Sequence, residues 1–379
     1  MMDLDREFIT DHPQSGVILS PRICSQEQVE RHAVEVIELG GELLFDPQFY
    51  EPRTNLDRLL TFPYWDGLDF ESSDFIVNSA VRFCERVINY QVENLNVTKV
   101  IIPGRFTNSA DTTWRELQGI FAESTAALNV GRHIYSTVAV GADVVTSGEL
   151  FDNILDEIVS YPVNGVYIVV RPPKDSFLID NDLFLYTMLD GLLSISRSGK
   201  DVILGYANQQ SLIYAAAGIS TIASGNYRNV RHFNPDMFYV DESDKRKKTW
   251  FYDPQTLSEY RLENLALAFR RGLGGYFALT CEHCEPLISS SAAAPWREPL
   301  AFRHYLHEIH RQWLSFDTVP RNERLLSVSE LLNAVQSRIS ELNERRFSFG
   351  DRAFNNVMEA TINAVTSFEG DRARDISSL

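Results

Sequence analysis

Positive charge is scarce in this chain of 379 residues: 35 Lys and Arg stand against 52 Asp and Glu, for a net charge of −17. A body this acidic does not attract nucleic acid or an anionic membrane in general, although a local basic cleft can sit on an acidic body. Cysteine is scarce too, with four in all. That excludes a disulfide scaffold and makes a reducing cytoplasm the expected compartment. No apolar run approaches the roughly 20 residues needed to cross a bilayer, so no membrane partner is expected. The opening stretch MMDLDREFITDHPQSG is acidic and lacks the basic and apolar regions of a signal peptide. No glycine-rich dinucleotide fingerprint follows the first apolar run. No lysine stands at the end of an expected strand, which argues against Schiff-base chemistry.

What is present is alternation. Short apolar runs (GVIL, ELLF, KVII, IYSTVAVG, GVYIVV, DVIL, STIA, GGYFALT) are separated by amphipathic stretches. Several runs are continuously apolar, as in parallel strands covered on both faces. Ser25 and Gln28 have the spacing of a capping box and Gly40 that of a helix stop. Eight such units predict an α/β fold, a (β/α)8 TIM barrel, with a doubly wound open sheet as the alternative. The barrel is expected over 1–320, with a loop or small hairpin inserted at about 229–260. Two C-terminal helices are expected to be appended over 321–379, and the tail EGDRARDISSL is expected to fray.

In such barrels the loops after the strands build the site. They deliver Arg22, Asp46, Gln48, Arg105, Arg171, Asn208, Gln209, Asn226 and Arg228. Arginine presents a planar fork suited to phosphate or carboxylate, so the four arginines either bind an anionic ligand or tie loops to neighbouring acids. Asp46 is the best-placed carboxylate for acid–base or nucleophilic work, or else forms an Asx turn before Pro47. Asn208, Gln209 and Asn226 either read base edges or cap and hold their loops.

CEHC places Cys281 and Cys284 two residues apart after the last apolar run. Tetrahedral zinc needs four N or S ligands. His304, His307 and His310 recur every three residues on the next expected helix, where at least two share a face. His307 is taken as the third ligand of a possible zinc site. The alternative is a vestige, two reduced cysteines beside a histidine-rich helix.

The stretch VILGYANQQSLIYAAAGISTIASGNYRN resembles the late barrel of tRNA-guanine transglycosylases. CEHC, FRHYLHEIH and SVSELLNAVQSRI resemble that family's zinc cysteines, its following helix and its zinc-histidine helix. LLFDPQF resembles the segment carrying another aspartate. The resemblance runs in order from Leu43 to Phe347. It implies a barrel that binds a purine or deazapurine base, a nucleotide or a nucleic acid, related to queuosine chemistry. The departures are specific. The nucleophilic aspartate falls near Ala223 or Ser224, the first zinc cysteine at Leu279, and the zinc histidine near Ser327 or Val328. Base exchange by a pentosyltransferase-like enzyme is therefore expected to be degenerate or rerouted. Family relatives include non-catalytic partner subunits and members of antiviral defence clusters, which makes a homodimer or protein complex an expectation and a non-catalytic binding subunit the alternative function. A lyase-type barrel acting on a small phosphorylated substrate is a further alternative.

Overall fold

A computed structural model describes residues 2–51, 59, 61–65, 78–238, 249–277, 281–284 and 298–379. It is a mixed α/β structure built on a curled parallel sheet. The strands are β1 (Gly16–Leu19), β2 (Glu42–Phe45), β3 (Lys99–Ile101), β4 (Phe106–Thr107), β5 (His133–Gly141), β6 (Gly165–Arg171), β7 (Asp201–Leu204) and β8 (Thr221–Ile222). The continuous hydrogen-bonded path is β3-β5-β6-β7-β8, with β4 also beside β5. β1 and β2 form a separate parallel pair. Thr98 sews that pair to the sheet, because its backbone N–H donates to the Leu43 carbonyl at 2.9 Å just before β3 begins. The strands therefore follow one another in chain order, and all their carboxyl ends face one way.

The two-residue period of the strands decides which core each side chain joins. Val138, Val140, Val166 and Ile168 pack into one cluster with α6 (Gly148–Ser160) and α7 (Asp182–Arg197). Tyr135, Ala139, Tyr167 and Val169 face the opposite cluster, shared with α2 (Gln26–Glu38), α3 (Asn78–Asn89) and α4 (Thr112–Ala127). Ser25 closes the capping box of α2, accepting from Gln28 N–H while the Gln28 side chain accepts from Ser25 N–H. Between β3 and β4 the chain runs hard against β5. A Cβ on Gly104 would lie 2.7 Å from the Thr137 side chain, so only glycine fits there.

The expected eighth strand is corrected. Gly274–Tyr276 is a 3₁₀ turn rather than a strand, and residues 278–280, with Leu279, lie outside the described residues. Gly272 precedes it at φ 78, and this left-handed bend turns the chain away after α8 (Leu262–Arg270). A closed eight-stranded barrel is not formed among the described residues. The seam between β8 and β1 is lined instead by two helices, α1 (Met2–Asp11) and α9 (Glu298–Asp317). The inserted segment is a hairpin, with β9 (Trp250–Asp253) antiparallel to β10 (Ser258–Arg261), and 239–248 lie outside the described residues.

Glu259 of β10 anchors this hairpin. It is buried between Arg231 and Arg352, pairing with Arg231 and at 2.7 Å with Arg352. Two guanidiniums around one carboxylate hold its pKa down despite burial. Two helices follow, α10 (Arg324–Glu344) and α11 (Met358–Ile376). The expected fraying of the tail is also corrected. α11 packs on α7, where Arg372 bonds Asp190 at 2.5 and 2.8 Å and Tyr186 donates to Asp371 at 3.0 Å. No helix among the described residues is long and apolar enough to cross a membrane.

Candidate functional site

The open seam leads into a cavity of about 1110 Å3. Its lining includes Arg22, Asp46, Gln48, Tyr206 and Asn226 from the loops after the strands and Tyr167 from within β6, with Asp5 of α1 and His310 of α9. Asp46 follows β2 and is 3 % exposed. Its two oxygens have different tasks. Oδ1 accepts from Gln48 N–H at 2.8 Å, the Asx turn that Asp-Pro favours. Oδ2 accepts from the Tyr50 hydroxyl at 2.7 Å and the Tyr167 hydroxyl at 3.3 Å. Turn and site are therefore the same residue. Burial pushes the Asp46 carboxyl up to about 6, and the three donors only partly offset it. A carboxyl poised there exchanges protons near neutral pH, as general acid–base work requires.

Gln48 extends the network across the sheet. Its Oε1 accepts from Arg22 N–H at 3.0 Å, and its Nε2 donates to the Tyr206 hydroxyl at 3.0 Å. Gln48 and Tyr206 both sit at positive φ, 51° and 53°. Two bulky residues in the left-handed region are thus bonded to each other beside the cavity, a backbone cost that their surroundings enforce. Tyr50, Tyr167 and Tyr206 were not visible as site residues in the sequence. Tyr167 lies inside β6 and Tyr50 and Tyr206 in loops, so no motif singles them out. The pairing of Asp46 with strands from the far side of the sheet is what selects them.

The other expected residues divide. Arg22 lines the cavity, and its Nε donates to the Met237 carbonyl at 3.1 Å. Arg105 lies over the Phe49 ring, 5.9 Å from its centroid, and does not line the cavity. Arg171 is held by Asp175 at 2.8 and 3.0 Å and by Asp236 at 3.3 Å, so it ties loops together. Arg228 does not line the cavity; it is exposed beside it, next to the lining residue Asn229, with its guanidinium 5.7 Å from the Phe177 ring centroid, and no carboxylate among the described residues pairs with it. Asn208 is a cap and loop holder, accepting from Gln210 N–H at 2.9 Å and donating to the Phe177 carbonyl at 2.6 Å. Gln209 is fully buried, and neither atom of its side-chain amide has a partner among the described residues. Asn226 donates to Asp5 at 3.2 Å, and its buried Oδ1 has no partner among the described residues. Burial lifts Asp5 to about 6 as well. Ser224, where a nucleophile would stand, donates to the Ala207 carbonyl at 2.7 Å and shares a 3.0 Å contact with the Tyr305 hydroxyl.

The cysteines lie elsewhere, beside the hairpin. Cys281, Cys284 and His304 bring their ligand atoms within 4.8 Å of one another, a group that could hold a metal ion. The two sulfurs are 3.4 Å apart, and each is 3.2 Å from His304 Nδ1. His304 Nε2 meets the Tyr252 carbonyl at 2.5 Å, which fixes the tautomer that leaves Nδ1 facing the sulfurs. The Phe251 ring stacks over the imidazole at 4.7 Å. The hydrogen bond from Cys281 and the nearby imidazole hold Cys284 well below the usual thiol range, while Cys281 keeps its proton. His307 is therefore corrected as a ligand. Its ring sits 5.9 Å from His12, and His310 lies 4.3 Å from the same ring. A repeat of three residues cannot say which histidine faces the cysteines, because that depends on how α9 is seated against β9.

Two outcomes follow from this geometry. A carboxyl whose folded pKa is raised contributes stability that is full below its unfolded pKa and is lost as pH rises through about 6. Asp46→Asn cannot ionise, so between pH 4 and 8 wild type should lose about 3 kcal/mol of stability relative to the variant. Urea unfolding at several pH values measures this, and parallel curves would contradict it. For the metal, elemental analysis should find bound metal in wild type and in His307→Ala, and little in His304→Ala. Equal loss in the two variants would contradict the ligand set.

No protein-family model matches the chain, and no curated protein matches it either.

Proposed function

We propose that this chain is a transglycosylase-like protein whose cleft binds a purine or deazapurine base, as nucleoside, nucleotide or part of a nucleic acid, with Asp46 as its acid–base carboxylate. The observation that carries the reading is the buried Asp46 at a cavity of about 1110 Å3, poised near 6 by burial and bonded to two phenols. Cavities of roughly this size take a small organic ligand. The curled sheet is read as the greater part of a (β/α)8-type barrel whose seam is covered by α1 and α9 in place of a strand.

Base exchange through a covalent sugar intermediate needs a nucleophile beside the base. Ala223 offers none, and the Ser224 hydroxyl is engaged by Ala207 and Tyr305, with no base as partner among the described residues. The reading is therefore of a binding protein or a proton-transfer enzyme in which exchange is lost or rerouted. The phosphate end of a ligand is assigned to Arg228. It is exposed on Phe177, close to Arg231 and Arg352, which share one carboxylate, Glu259. This local excess of positive charge on an acidic protein is what an anion would find. Two thiols and an imidazole suit zinc, which would tie the 281–284 segment to α9 as a structural centre. The free cysteines suit a reducing cytoplasm.

Calorimetry with guanosine and guanosine monophosphate tests the reading. Both should bind wild type. Arg228→Ala should weaken the monophosphate about 5- to 20-fold, the size of one charge-assisted contact, and guanosine hardly at all. Absence of binding by both would overturn the proposal, and equal weakening of both would overturn the role of Arg228.

A further inference from the structure

Tyr206 follows β7 directly after Gly205. A Cβ on Gly205 would lie 2.7 Å from the Tyr167 ring, so glycine lets the chain pass against that ring before Tyr206 turns into the cavity. Tyr206 then holds a left-handed backbone, an arrangement a tyrosine does not adopt unless its surroundings enforce it. Phe233 packs against the ring at 5.1 Å and 60°. The hydroxyl is fixed by Gln48, and the direction of that bond is settled. Gln48 Oε1 is used by Arg22 N–H, so the atom facing the phenol is Nε2, a donor without a lone pair. The Tyr206 oxygen accepts, and its own proton remains to be given. No acceptor among the described residues takes it. Burial and the Asp46 carboxylate keep the phenol protonated throughout the physiological range.

We propose that Tyr206 is a specificity-determining residue of the cleft, donating its hydroxyl proton to a neutral ring carbonyl on the bound base, on the same cavity wall as Asp46. The proposal rests on the base-binding reading and adds to it the chemical class of the recognised edge. A phenol donor beside a carboxyl matches a lactam, which offers an acceptor oxygen next to a ring N–H. A site built to donate to that oxygen disfavours the analogue that lacks it, because the anchored phenol proton is then left without a partner.

Titration of guanosine and of 2-aminopurine riboside, which lacks the ring carbonyl, distinguishes the cases. Tyr206→Phe keeps the ring and should weaken guanosine about 3- to 10-fold while changing 2-aminopurine riboside less than about 2-fold. Gln48→Leu, which unfastens the hydroxyl without touching the tyrosine, should narrow the preference for guanosine in the same direction. It also gives a second reading if the first variant does not fold. Equal weakening of the two nucleosides, or none, would overturn the role of Tyr206 and leave the base-binding reading standing. Failure of wild type to bind either nucleoside would overturn both.

Discussion

The constraint on which the rest of this structure depends is a carboxylate taken out of water. Asp46 sits at the end of β2, almost fully buried, with hydrogen bonds from a loop tyrosine, a strand tyrosine and its own Asx turn. Burying an ionised carboxylate without donors is prohibitive, so the surroundings must supply them. Those donors come from distant parts of the chain. Tyr167 crosses from β6, and through Gln48 the network reaches Tyr206 after β7 and Arg22 after β1. The same bonds that make the carboxyl tolerable stitch together the two sides of a sheet that does not close into a barrel among the described residues. Structure and chemistry share these atoms, and this accounts for the strained backbones of Gln48 and Tyr206 lying beside the cavity.

A second buried charge network does the corresponding work outside the sheet. Glu259 draws Arg231 and Arg352 together, and these stack on Tyr305 and Trp250 at 4.0 Å each. The hairpin, the segment after β8 and the connection between α10 and α11 thereby become one unit. The Cys281, Cys284 and His304 group adds a further tie between the hairpin and α9. The cleft carries acidic residues on the α1 side, and Arg228, Arg231 and Arg352 gather around the Phe177 ring, an arrangement that supports the proposed ligand with a neutral ring and an anionic tail.

Much of the sheet was legible because continuous apolar runs bounded by turn residues leave little choice for a strand covered on both faces. The helix caps were legible for the same local reason, as Ser25, Gln28 and Gly40 show. GGYFALT misled because an apolar run carries no record of the turn that Gly272 and the glycines after it impose. Asp46 was readable as a candidate because it follows a strand on the face where the loops of such a sheet build a site. Its phenolic partners were not, since they are separated from it by up to 121 residues. Arg171 shows the opposite failure. It stands at the carboxyl end of β6, yet Asp175, four residues on, claims it. His304 and His307 differ only in which way α9 turns, and that is fixed by β9, not by the helix itself.

The central claim is that burial makes the Asp46 carboxyl titrate near 6, in the cleft proposed to bind a base. Isotope-edited infrared spectroscopy of the carboxyl stretch, with carbon-13 aspartate in wild type and in Asp46→Asn, tests it most directly. The account predicts a protonated-carboxyl band that titrates near 6, is missing from Asp46→Asn, and shifts when guanosine is added. A band that titrates in the ordinary carboxylate range, or one that guanosine leaves unmoved, would contradict it.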